Sequence, residues 1–92
     1  MTLSDDDIEM AVRVTKRMMS KGVVNKHHKQ KQTIAGWFAT HERGNVKDVL
    51  DDMISDTEAP VRQKGRGTVT LISIQKAKQF LEDNGAEDPR GW

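Results

Sequence analysis

Two runs of basic side chains carry the strongest chemical signal in this sequence. Arg13, Lys16, Arg17, Lys21, Lys26, Lys29 and Lys31 follow one another with no acid before Glu42. Arg62, Lys64 and Arg66 form a second cluster interleaved with Gly65 and Gly67. Cations at this density neutralise phosphates, and the released counterions supply most sequence-independent affinity for nucleic acid. Other constellations lead to no comparable chemistry. His27 and His28 would project about 100° apart on a helix, and His41 is too distant for an i, i+4 pair, so no metal site is expected. The histidines are read as solvated or phosphate-facing, with a charge that depends on pH near neutrality. Gly65-Arg66-Gly67 lacks the Gly-Lys-Ser/Thr ending of a phosphate-binding loop. Asp51 and Asp52 are consecutive, so on a helix they diverge instead of sharing a site. With no cysteine, no tyrosine and no serine–histidine–acid arrangement, the chain reads as a protein that is not an enzyme and uses no cofactor.

The acids are segregated as well. Asp5, Asp6, Asp7 and Glu9 open the chain, and Asp48, Asp51, Asp52, Asp56 and Glu58 separate the two basic clusters. A formal net charge of +1 therefore conceals a local basic face. Ninety-two residues, 35% hydrophobic and 32% charged, allow a single small domain with a thin core. No apolar run approaches the ~20 residues of a membrane span. The acidic opening argues against a signal peptide, so a cytoplasmic protein without membrane contact is expected. Zero cysteines exclude a disulfide framework and sulfur-ligated zinc.

The elements that must position the basic clusters follow from apolar spacing. Ser4 is a natural N-cap, with the early acids at the positive end of a first helix. Ile8, Ala11, Val12, Thr15 and Met19 recur at helical intervals, and Gly22 offers the stop. Met10, Val14 and Met18 form a second stripe, either a wide buried face or a dimer seam. Val23-Val24 is a very short strand or a linker. A second helix is expected over residues 28–40, with Ile34, Ala35, Trp37 and Phe38 as its apolar face and Trp37 in the core. Gly36 inside it would cost about 1 kcal/mol against alanine. Residues 41–44 read as a turn and Asn45 as the next N-cap. Val46, Val49, Leu50, Met53 and Ile54 then give the cleanest amphipathic pattern of the chain. Strands over 61–63 and 68–72 flank a hairpin turn at 64–67, whose glycines permit positive φ. Ser73 caps a last helix carrying Ile74, Ala77, Phe80 and Leu81, ended by Asn84-Gly85. The tail over 86–92 is expected to be flexible, beyond an ordered core over about 5–85.

Helix, helix, turn, helix, basic hairpin, helix is an order that resembles the winged helix-turn-helix superfamily. Thr33-Ile-Ala-Gly-Trp-Phe followed by the segment from Gly44 to Met53 is similar to its paired helices. Arg62-Gln-Lys-Gly-Arg-Gly-Thr-Val-Thr-Leu71 is similar to its wing, and the segment from Leu71 to Leu81 to its closing strand and helix. The resemblance implies an α+β, mainly α fold: a three-helix core, a C-terminal β-hairpin wing and a final helix. It also implies double-stranded DNA as the partner, with the third helix entering the major groove. Carried over by position, Asn45, Lys47 and Gln32 would meet bases. Lys26, Lys29, Lys31 and Thr33, around the start of the second helix, would meet phosphates, as would Arg62, Lys64 and Arg66 of the wing. A homodimer through the first or last helix would set the half-site spacing of a small transcriptional regulator.

One departure stands out. The exposed face of the third helix is Lys47, Asp48, Asp51, Asp52 and Ser55, and carboxylates repel DNA except where one accepts from cytosine N4. Three readings follow: only the first turn touches bases, or the wing and residues 26–33 dominate, or the domain binds no DNA. In the last case the acidic face becomes a recognition surface for a protein partner.

Overall fold

Helix α1, Asp5–Ser20, supplies the widest apolar face of the chain. The computed structural model of the protein describes residues 5–56 and 58–86. Ser4 and the tail from 87 to Trp92 therefore lie outside the described residues. On α1, Met10, Ala11, Val14, Thr15, Met18 and Met19 are all buried, whereas Ile8 and Val12 border the face half-exposed. The second stripe is thus part of a wide face turned into this chain's own core, not a dimer seam. The one hydroxyl on that face, Thr15 Oγ1, donates to the Ala11 carbonyl at 2.8 Å, which removes the cost of burying it. The helix stops where Gly22 takes φ +70. Gly22 N–H then donates to the Met19 carbonyl and Val23 N–H to Met18, a paired closure that a left-handed glycine permits.

The chain continues through β1 (Lys29–Gln30), α2 (Lys31–Ala35), a 3₁₀ turn (Thr40–Glu42), α3 (Arg43–Ser55), β2 (Val61–Gln63), β3 (Thr68–Leu71) and α4 (Ile74–Asp83). Among the described residues this is an α+β, mainly helical architecture of four α-helices and a three-stranded antiparallel sheet ordered β1-β3-β2. The β2–β3 hairpin, the amphipathic α3 and the Ser73-capped α4 lie where the spacing places them; Lys76 N–H donates to Ser73 Oγ at 3.0 Å. Val46, Val49, Leu50 and Met53 of α3, which packs on α1, α2 and β2, share one core with Ile34, Phe38, Val69, Leu71, Phe80 and Leu81.

The stretch from 28 to 40 differs from the single helix expected. Lys29 and Gln30 pair instead with Val69 and Thr68, because β3 has a free edge whose backbone groups need partners. Helix α2 is only five residues long and ends on Gly36 as its C-cap. The glycine is a stop, not a tolerated interior residue. Trp37, beyond that end, is half-buried at the margin of the core, while Phe38 is buried. Arg43 and Gly44, read as a turn, open α3; Glu42 is its cap residue, so Asn45 lies within the first turn.

Val24 makes a single parallel bridge to Leu71, with Asn25 N–H on the Leu71 carbonyl and Leu71 N–H on Val23. The upper end of β3 is thus covered by 23–25 and its lower end by β1. The loop between them crosses one face of the sheet. Thr70, on that face, is consequently buried, and its hydroxyl donates to the His27 carbonyl at 2.8 Å.

Candidate nucleic-acid interface

Sheet register brings the first basic cluster up to the hairpin turn of the second. β1 lies directly beside β3, with Lys29 opposite Val69. One residue on, Lys31 N–H donates to the carbonyl of Gly67 at the hairpin turn, 3.1 Å. From the other side Lys64 Nζ reaches the Asn25 carbonyl at 3.3 Å. Lys26 and Lys29 are exposed next to this seam, Arg62 and Arg66 are exposed on the hairpin, and Lys64 is half-buried. The hairpin turn itself is shaped by Gly65 and Gly67 at φ +77 and +73, and Thr68 Oγ1 closes it onto the Lys64 carbonyl. Lys26, Lys29 and Lys31 thus lie along the β1 edge, next to Lys64 and the hairpin turn that carries Arg66. Arg62 stands on β2, the opposite outer strand, and its partner Thr70 sets it on the other sheet face from Lys29, the partner of Val69.

The α2–α3 side is arranged differently from the expectation. Asn45 and Lys47 are two residues apart on a helix, hence about 200° apart round its axis, and do not share a face. Lys47 lines a groove of about 480 Å³ with Gln32, Ala35, Gly36 and Arg43. Arg43, one turn before Lys47, shares that groove, and its Nε donates to the Phe38 carbonyl at 3.3 Å. Asn45 is exposed in the first turn of α3, on another face. The Arg43/Lys47 spacing of four was the available signal, obscured by reading Arg43 as turn. Thr33 is exposed on α2. A five-residue helix has no developed N-terminal dipole, so phosphate contacts there fall to side chains and not to backbone N–H groups.

Lys31 does not point freely outward. Its Nζ lies 2.7 Å from Asp51 Oδ1, with the lysine side chain 28% and the carboxylate 58% exposed. The pair neutralises one cation of the basic edge and one acid of α3 together. Asp48 and Asp52 remain exposed on the outer ridge of α3.

The start of α3 is held from α1. Arg13 Nη1 donates to Glu42 Oε2 at 2.6 Å and Nη2 to Oε1 at 3.2 Å, a two-pronged pair that fixes the cap residue of α3. The same guanidinium lies 5.4 Å from the Phe38 ring centroid. Hydrogen bonding to Arg13 holds the Glu42 carboxyl below its ordinary value, and the partner raises the Arg13 guanidinium in return. Sequence order gave no sign of this link across 29 residues.

Among the described residues no group of three or more histidine or acidic side chains could hold a metal ion, and no helix is long and apolar enough to cross a membrane. Comparison with protein-family models, curated proteins and solved structures gives no match for this chain. Any functional reading therefore comes from the residues and their placement.

Proposed function

We propose that this chain is a small winged-helix protein that binds double-stranded DNA as a transcriptional regulator. The observation that carries the reading is the placement of Lys26 and Lys29 beside the hairpin turn of Lys64 and Arg66, through the β1–β3 register and the Lys31–Gly67 hydrogen bond. Arg62 adds a cation on the outer strand of the same hairpin. The order α1, β1, α2, α3, β2, β3 with β3 central supports it, since it presents a hairpin beside a helix pair. The hairpin and the loop over 25–28 grip phosphates. Gln32, Arg43 and Lys47 line a groove from which amide and guanidinium groups can meet base edges. The outer ridge of α3, with Asp48 and Asp52, stays clear of the backbone, so the hairpin and the α2–α3 groove dominate over the length of α3.

Fluorescence anisotropy with random duplex and with DNA from upstream of the gene, at two salt concentrations, tests this. Binding that weakens steeply with salt and is tighter on the upstream DNA supports a sequence-reading regulator. No binding at low salt removes the reading. The exposed Asp48 and Asp52 favour one alternative in that case, a protein partner with a basic patch docking on α3.

A further inference from the structure

We propose that two copies of this chain pair antiparallel through α1, each seating its acidic first turns against the basic cleft beside the other's α1. A cleft of about 460 Å³ runs between the C-terminal half of α1 and the connection from α2 to α3. Arg13, Lys16, Arg17 and Ser20 line one wall, and Trp37 and Phe38 the other. Lys21 adds a further cation, its Nζ 5.6 Å from the Trp37 ring centroid. Glu42 is the single carboxylate in the lining and is consumed by Arg13. Among the described residues Lys16, Arg17 and Lys21 have no carboxylate within salt-bridge distance, and Trp37 keeps part of its ring in solvent.

The complement to this cleft lies on the same helix. At about 100° per residue, Asp6, Glu9, Arg13, Lys16, Arg17 and Ser20 fall on one ridge of α1, exposed except for the half-buried Lys16, with acids at its start and bases toward its end. Turning a second α1 end for end over the first, crossing between Val12 and Arg13, sets Glu9 opposite Lys16. The same overlay carries Asp6 toward Arg17 and Lys21. Because each helix supplies both halves, every contact occurs twice about a two-fold axis and the pair closes on itself. An unrelated acidic peptide would satisfy the bases of the cleft but leave Asp6 and Glu9 facing solvent; the second copy satisfies both. The cleft shares no lining residue with the Gln32–Lys47 groove, so pairing stands or falls independently of duplex binding.

Sedimentation equilibrium of the full chain at low and high salt is the first test. The expected result is twice the 10.4 kDa chain mass at low salt, halved at high salt as the ion pairs are screened. A monomer at low salt overturns the proposal, and so does a dimer indifferent to salt. Two double variants sharpen it. D6K/E9K removes the acids of the ridge, and K16E/R17E leaves Arg13, already paired with Glu42, as its one cation. Each alone is expected to be a monomer with an unchanged circular dichroism spectrum, and an equimolar mixture a heterodimer. Folded variants that remain dimeric alone, or a mixture that stays monomeric, overturn the antiparallel arrangement. Should either variant unfold, the salt dependence of the unmodified chain decides.

Discussion

Lys31 stands at the meeting of three elements: its N–H is bonded to Gly67 of the hairpin turn and its Nζ to Asp51 of α3. The backbone bond ties the start of α2 to the hairpin, and the side-chain bond neutralises one cation. In the proposed duplex complex, Asp51 and phosphate would compete for this one ammonium.

Asp51→Asn accordingly frees Lys31 and removes a repulsive charge. Duplex affinity is expected to rise and the slope of log K against log salt to steepen by about 0.9, the increment for one added phosphate contact. The loss in stability should stay within about 1 kcal/mol, as for other ion pairs largely open to water. Anisotropy titrations across salt, with a denaturant curve, measure both. An unchanged slope would mean that Lys31 never reaches DNA.

Alanine at Arg62, Lys64 and Arg66 together should abolish tight duplex binding while leaving the helical circular dichroism signal in place. Residual binding is expected to have a salt slope smaller in magnitude by about 2–3. Retention of wild-type affinity would remove the hairpin from the interface.

The Arg13–Glu42 pair makes a prediction about acid stability. Arg13 lowers the Glu42 carboxyl in the folded chain, so the unfolded chain takes up its proton first as pH falls. The stabilisation is fully present above the ordinary carboxyl value of 4.5 and is lost as pH falls through the lower folded value. Glu42→Gln should therefore have a lower Tm than the unmodified chain near neutral pH, with the two melting curves converging in acid. A gap in Tm that persists unchanged in strong acid would contradict this linkage.

Thr70→Val removes the donor to the His27 carbonyl without changing side-chain size much. A cost of about 0.5–1.5 kcal/mol is expected. Hydrogen exchange should quicken at the His27 amide, which closes the loop onto Val24. Because Lys26 rides on that loop, duplex binding should weaken modestly in the same variant.

Leu50→Ala tests the core, since Leu50 is fully buried at the centre of α3. A loss of about 2–5 kcal/mol by urea unfolding is expected, combining lost transfer energy with the cavity left behind.

Helices α1, α3 and α4 and the hairpin were legible because their information is local. Apolar residues recur at one period, Ser73 caps, and Gly65 and Gly67 mark a turn. The stretch from 28 to 40 was not legible, for a definite reason. Lys29 and Gln30 are both polar and exposed, so no alternation marks β1; their strand character comes entirely from Thr68 and Val69, some 40 positions away. With those two residues drawn into the sheet, α2 shortens to five and Gly36 becomes an end. The site inherits the same limit. That Lys26, Lys29 and the hairpin-turn cations could share a surface was suggested by charge alone, whereas Arg43 in the groove with Lys47 depends on where α3 starts. The cap residue at that start, Glu42, is paired with Arg13, far back on α1.

The sheet order also bears on how the chain behaves at high concentration. With β3 in the middle, β2 is an outer strand of the sheet. An outer strand is a template for edge-to-edge association unless it is short or charged. β2 is three residues long, and Arg62 and Gln63 are exposed on it. An exposed charge at Arg62 is of the kind that discourages edge-to-edge pairing, whatever else it binds. Neutralising it should cost colloidal solubility before it costs fold.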